Sequence, residues 1–199
     1  MISVEHLSVN YGDFCAVNDV SVHINKKEIF GIIGKNGAGK TTFVETLEGL
    51  KKPRSGKVFI DGINPFDRAR RTQLYKKISV QLQSTSYPNR ARVEELCRLF
   101  SSIYDSSHNY LKLLEQFDLS PKKRSFVSDL SGGQKQKLSI LLALISNPEV
   151  VFFDEITTGL DAEARHEIWG LLKSLREEGL TIILVTHFMD DVEAVCDRV

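Results

Sequence analysis

Two short stretches of this chain carry residue types and spacings suited to phosphate chemistry. The first, Gly34-Lys35-Asn36-Gly37-Ala38-Gly39-Lys40-Thr41, fits the pattern GxxxxGK[ST]. Glycines so spaced let successive backbone N–H groups curl round phosphate oxygens at a helix start, where the helix dipole also favours an anion. Lys40 would reach the β and γ phosphates of a nucleotide, Thr41 would offer its hydroxyl to Mg²⁺, and Thr42 would add a further phosphate contact. Average residue usage produces this pattern by chance in roughly one chain of this length in a hundred. The second stretch is Val150-Val151-Phe152-Phe153-Asp154-Glu155, two carboxylates at the end of an apolar run. Asp154 would hold the water shell of Mg²⁺, and Glu155 would polarise the water that attacks the γ-phosphate. Alone, that run reads equally as a strand ending in solvated acids; the phosphate loop upstream favours the functional reading.

Elements must hold these groups in place. Residues 28–33 form a short apolar run into the glycine loop and residues 43–50 follow with helical spacing, giving strand, loop, helix. Residues 2–9 and 17–24 alternate about Tyr11-Gly12-Asp13 and predict antiparallel strands. Strands are expected again at 57–60 and 78–82, with a loop over 84–89. From 91 to 117 the apolar positions recur at helical spacing, broken by Asp105, Ser106 and Ser107, which predicts a helical subdomain. Ser131 is expected to cap a helix reaching Ile145, and Asn147-Pro148 to end it before a strand over 150–153. A helix over 162–178, a stop at Gly179, a strand over 181–185 and a last helical stretch complete the alternation. The pattern predicts an α/β fold, a mostly parallel sheet covered on both faces with an N-terminal antiparallel β portion.

Composition narrows the class. Lys plus Arg equal Asp plus Glu at 26 each, so no overall field draws the chain to nucleic acid. The clusters Arg68-Ala69-Arg70-Arg71, Lys76-Lys77 and Lys122-Lys123-Arg124 read as solvated faces. Apolar runs such as 138–145 and 180–185 are far shorter than the ~20 residues needed to cross a bilayer. The opening MISVEHLSVNYG shows no charged leader followed by an apolar stretch, and Cys15, Cys97 and Cys196 form no CxxC pair. Both features predict a cytosolic protein with reduced thiols.

Leu130-Ser131-Gly132-Gly133-Gln134 takes the reading further, because it resembles the LSGGQ signature of the ABC ATPases. The resemblance covers essentially the whole chain. It implies one domain over 1–199, with a P-loop ATP-binding core at 1–83 and 146–199 and a helical insert at 84–145. In that family the signature contacts the γ-phosphate of ATP held by the partner subunit, which implies a head-to-tail dimer, homomeric or heteromeric, with two ATP molecules between subunits. Gln83 looks like the glutamine that senses Mg²⁺ and the attacking water, and His187 like the switch histidine on the γ-phosphate. Asp161 matches the aspartate that communicates across the dimer, with a helix N-cap as its plain reading, and Tyr11 matches the aromatic that stacks on adenine.

The family further implies ATP hydrolysis coupled to integral-membrane subunits at the inner face of the cell membrane. The stretches LEGLKKPRSGKVFIDG and ISVQLQSTSYP are most similar to bacterial multidrug or antibiotic exporter ATPases. An importer ATPase and a non-transport ABC ATPase stay open as alternatives, though about 90 residues between Lys40 and the signature leave no room for a long coiled-coil insert. Two features depart from the family pattern. Ile156 stands where relatives have proline, restoring a backbone N–H beside Glu155. The sequence also closes at Asp197-Arg198-Val199, where relatives begin further strands, so the last sheet edge is expected to be missing.

Overall fold

The computed structural model describes residues 1–81, 87–88, 90–104 and 109–199. It opens with β1 (Ile2–Tyr11) and β2 (Phe14–Ile24), an antiparallel hairpin whose end pair is Tyr11 and Phe14. After β3 (Ile29–Ile33) come the glycine loop and α1 (Lys40–Leu47). β4 (Ser55–Ile60) then returns to pair antiparallel with β1, and α2 (Arg71–Tyr75) leads to β5 (Ile78–Gln81). The helices α3 (Val93–Ile103) and α4 (Tyr110–Gln116) precede α5 (Gly132–Leu144). Alternation resumes with β6 (Val150–Asp154), α6 (Ala162–Glu177), β7 (Thr181–Thr186) and α7 (Met189–Val195).

The strands form two sheets, a three-stranded antiparallel one in the order β2-β1-β4 and a four-stranded parallel one in the order β3-β7-β6-β5. At the β3 end of the parallel sheet, Arg198 adds an isolated bridge to Phe30. Alternate residues of the parallel strands serve different cores, as the two-residue period of a strand requires. Val151, Phe153, Ile182 and Leu184 join the cluster built by α3, α4, α5 and α6, whereas Phe152, Ile183 and Val185 join Phe43, Val44 and Leu47 of α1 and the inner face of the antiparallel sheet. The parallel sheet is therefore covered on both faces, which explains why its strands read as unbroken apolar runs.

Several predicted bounds shift for local reasons. The first helix starts at Lys40 because Gly39 caps it in the left-handed region, and it stops at Leu47 because Gly49 turns out at φ 78. Helix α2 is an element the sequence reading does not contain; it is one turn long and buries only Leu74. The strand expected to reach Leu82, the loop over 84–89 and the break at Asp105 to Ser107 fall wholly or partly outside the described residues. Ser131 and Asn109 do cap their helices through side-chain oxygens. None of the described helices is long and apolar enough to cross a membrane.

The two-sided core makes a direct stability prediction. Phe153 is 0% exposed in the centre of the parallel sheet, whereas Phe14 is 63% exposed at the hairpin tip. Phe153→Ala is expected to cost about 3–5 kcal/mol by cavity formation and Phe14→Ala less than about 0.5 kcal/mol, as measured by urea-induced unfolding. Equal losses in the two variants would contradict the layer assignment.

Candidate functional site

The register of the parallel sheet decides where the polar residues meet. Ile33 pairs with Thr186, Asp154 with Val185, and Gln81 with Phe153, so β3, β7, β6 and β5 end at one edge. From those ends the chain continues into the glycine loop, into His187, into Glu155 and toward Gln83. Ligands of open α/β sheets bind at such carboxyl ends. Gln83 itself lies outside the described residues.

A cavity of about 430 Å³ opens at that edge. Asn36, Gly37, Gly39, Lys40, Thr41 and Thr42 line one side, Asp154 and Glu155 another, and Tyr11, Phe14 and Ala16 of the hairpin close it. Gly34 and Ala38 shape the loop behind this lining: a Cβ at Gly34 would come within 3.2 Å of the Ala38 Cβ. Gly39 tolerates no side chain at all, because its φ is 88 and a Cβ there would sit 2.2 Å from the Ala16 carbonyl. The hairpin and the loop are thus pressed together through glycine. Lys40 Nζ donates to the carbonyls of Gly34 at 2.7 Å and Lys35 at 3.1 Å, which holds its ammonium within the curl of the loop.

The aromatic end of the cavity is more elaborate than the sequence showed. Tyr11 shares a hydrogen bond of 3.3 Å with the Thr42 hydroxyl, and the Lys51 ammonium lies 3.6 Å from the Tyr11 ring centroid. Phe14 was missed, although the two-residue turn between it and Tyr11 is a usable signal: directly paired strand positions place both rings at the hairpin end. Lys51 was also missed, since only tertiary packing brings it to Tyr11.

At the acidic end Glu155 and His187 meet. His187 Nδ1 lies 2.9 Å from Glu155 Oε1, while its ring packs against Phe188 with centroids 4.0 Å apart and planes tilted by 39°. Glu155 itself sits at φ 51, a left-handed backbone that a non-glycine residue adopts at a cost of about 1–2 kcal/mol. Two bonds and one burial hold it there. Glu155 N–H donates to Val185 O at 2.9 Å, Thr158 N–H donates to Glu155 O at 3.1 Å, and Ile156 is 1% exposed in the core beneath. Burial, followed by the like charge of Glu155, pushes the Asp154 carboxyl above its usual range, with Lys40 opposing. A partly buried carboxylate beside a second one, with the Thr41 hydroxyl at the same cavity, is an oxygen-donor set that fits a hard divalent cation.

The remaining expected residues gather elsewhere. A second cavity of about 330 Å³ is lined by Ser131, Gly133 and Gln134 of the signature together with Asp161 and Ala164 of α6. It shares no lining residue with the first. Ser131 and Gln134 cap each other reciprocally, Ser131 Oγ accepting from Gln134 N–H at 3.2 Å and Gln134 Oε1 from Ser131 N–H at 3.1 Å. Gly133 must be small, since a Cβ there would meet the Ala164 Cβ at 3.0 Å; Gly132 beside it faces Leu160. Asp161 is the N-cap of α6, accepting from Ala164 N–H at 2.8 Å. One chain therefore presents a phosphate-type cavity and, separately, a signature cavity.

The family assignment comes from comparison with known proteins. Residues 17–158 match the family described as ABC transporter. The chain belongs to the ABC transporter family. As a member, it is 38% identical to a Nod factor export ATP-binding protein I of Rhizobium etli across 99% of its length and 63% of the relative's. It is 37% identical to the protein of that name in Rhizobium meliloti, covering 99% of this chain and 60% of the other. The chain thus spans less than two thirds of the length of these curated relatives. Among solved structures, it superposes on cbiO1 from Clostridium perfringens, part of an ABC transporter complex, with a TM-score of 0.88 at 29% identity, over 98% of this chain and 82% of that one. A dimeric bacterial ABC transporter cassette gives a TM-score of 0.81 at 28% identity, over 98% and 91%.

This ABC-family fold carries one more carboxyl close to the acidic end. Glu48, 5% exposed at the end of α1, is pushed up from 4.5 to about 7 by burial, then by Glu45 and Asp154. A carboxyl so raised binds its proton more tightly when folded, so stability is full below about 4.5 and declines as pH rises from there to about 7. The shift corresponds to about 3 kcal/mol. Glu48→Gln is expected to abolish that decline and to be the more stable protein at pH ~8 but not at pH ~4, by urea unfolding at both. A wild-type chain and variant that respond alike to pH would show that Glu48 ionises freely.

Proposed function

We propose that this chain binds ATP with Mg²⁺ and hydrolyses it as the ATPase subunit of an exporter whose membrane-spanning parts are separate subunits. The observation that carries the reading is the convergence of the glycine loop, Asp154, Glu155 and His187 at one sheet edge, with Glu155 and His187 in contact. Backbone N–H groups of residues 34–39 and the Lys40 ammonium hold the phosphates, and Thr42 adds a hydroxyl. Tyr11 offers a stacking face to adenine. Thr41 and Asp154, joined by Gln83, would hold Mg²⁺, which would neutralise charge on the β and γ phosphates.

Glu155 orients and polarises the water that attacks the γ-phosphate. His187 contributes through both ring nitrogens. With Nδ1 engaged by Glu155, Nε2 is the ring nitrogen left to bond an oxygen of the γ-phosphate. The separate signature cavity supports a two-chain site, in which Ser131, Gly132, Gly133 and Gln134 of the partner subunit meet the γ-phosphate and Asp161 lies across the junction. That arrangement serves a homodimer or a heterodimer. The export direction rests on the names of the Rhizobium relatives, and the place of action is the cytoplasmic face of the membrane. Balanced charge gives no support to a nucleic-acid partner.

The test is Mg²⁺-dependent ATP hydrolysis by the purified chain over a range of protein concentrations, with Glu155→Gln alongside. Turnover per chain should rise with concentration, and the variant should lose about a hundredfold or more while still binding ATP. Equal turnover in the variant would remove Glu155 from its role, and activity strictly linear in protein would remove the two-chain site.

A further inference from the structure

Asp191 is fully buried at 0% exposure in the first turn of α7, with no ion pair among the described residues. Such a charge is stable only if hydrogen bonds replace its hydration. Three donors do so, and they come from three other segments rather than from the backbone of α7. The hydroxyls of Thr157 and Thr186 each donate to Asp191 Oδ2 at 2.6 Å, and Trp169 Nε1 donates to Oδ1 at 2.9 Å. The hydroxyl distances are those of charge-assisted bonds.

The donors' places in the chain give the cluster its meaning. Thr157 lies two residues beyond Glu155, in the strained turn. Thr186 immediately precedes His187, and its Oγ1 also accepts from Phe188 N–H at 3.1 Å, so both neighbours of the switch histidine are tied to one hydroxyl. Trp169 belongs to α6, the helix that Asp161 caps. A further residue of α6, Arg165, lies 5.1 Å from the Phe188 ring against which His187 packs.

We infer that Asp191 is a positioning residue for hydrolysis: it locks the Glu155 turn and the His187 segment to each other and to α6, holding the Glu155–His187 contact in register. The inference rests on the ATPase reading above. Asp191 is in the lining of neither cavity, and its hydrogen-bond partners among the described residues are Thr157, Trp169 and Thr186, so its loss should leave binding intact and slow the chemical step. Displacement of reacting groups by about 1 Å costs up to about a hundredfold.

The experiment compares wild type, Asp191→Asn, Thr157→Val and Thr157→Ser for kcat, for ATP affinity, and for the ¹⁵N NMR signals of the His187 imidazole. Asp191→Asn and Thr157→Val are expected to lower kcat about ten- to hundredfold with ATP affinity within about twofold, and to move the His187 signals. Thr157→Ser, which restores the hydroxyl, should recover kcat to within about threefold and return those signals. A folded Thr157→Val protein with wild-type kcat overturns the inference, as does a Thr157→Ser protein as slow as Thr157→Val. If Asp191→Asn does not fold, the Thr157 pair still decides. A wild-type chain that binds ATP but releases no phosphate defeats the ATPase reading instead, and the His187 signals then decide the positioning role alone: movement in Thr157→Val but not in Thr157→Ser upholds it, and no movement overturns it.

Discussion

One backbone hydrogen bond, from Glu155 N–H to Val185 O, governs the acidic half of the site. It extends the β6–β7 ladder one step beyond the last paired residues, Asp154 and Val185, and so carries sheet register into the turn. Because the strands are parallel, the segments after them emerge at the same edge, and Glu155 and His187 meet without any long loop to deliver them. The turn pays for this with a left-handed Glu155. Ile156 then matters in a way its chemistry alone does not suggest. A proline there would stiffen the turn through its ring, whereas isoleucine anchors it by burial in the core, an interaction that costs no backbone donor.

The glycine loop obeys a related constraint from the other side. Gly39 is forced by two independent facts, its φ of 88 and the Ala16 carbonyl 2.2 Å from where a Cβ would stand. The first would be satisfied by any residue that tolerates the left-handed region, but the second excludes all of them. Residues of the antiparallel sheet therefore shape the glycine loop. That sheet packs over α1 through Val9, Val17 and Phe43, and the hairpin it presents carries Tyr11 and Phe14 to the cavity mouth.

Legibility in the sequence tracks the range of the interactions concerned. The runs 150–153 and 181–185 were readable because a strand buried on both faces admits only apolar residues, and the starts of α5 and α6 were readable because capping is local: Ser131 reaches Gln134, and Asp161 reaches Ala164. The pairing of β4 with β1 instead of with the parallel strands was not readable, since periodicity reports a strand but not its neighbour. Helix α2 is a single turn, too short for periodicity to register. Asp191 was hidden for a different reason. In the stretch Met189-Asp190-Asp191-Val192-Glu193 it is one acid among three, and only tertiary structure shows that it is buried while Asp190 stays exposed. Lys51 and Phe14 likewise acquire their place from contacts the chain makes in three dimensions.

Helix α6 reaches from the signature cavity to the cluster around Asp191. Asp161 caps its first turn beside the signature cavity, and Trp169, eight residues on, donates to Asp191 behind His187. At 1.5 Å per residue that separation is about 12 Å along an unbroken helix. Helix α6 buries Ile168, Leu172 and Leu175, so it rests on the core through its middle while its first turn lines the signature cavity. Asp161 and Trp169 are therefore spaced by one continuous helix, and Trp169 shares its acceptor Asp191 with Thr157 and Thr186. Hydrogen bonds thus tie α6, whose first turn Asp161 caps, to the turn after Glu155 and to the residue before His187. A fold that placed Asp161 and Trp169 on different elements would join them through loops, whose dihedral angles are free to vary, and would not fix the distance between them.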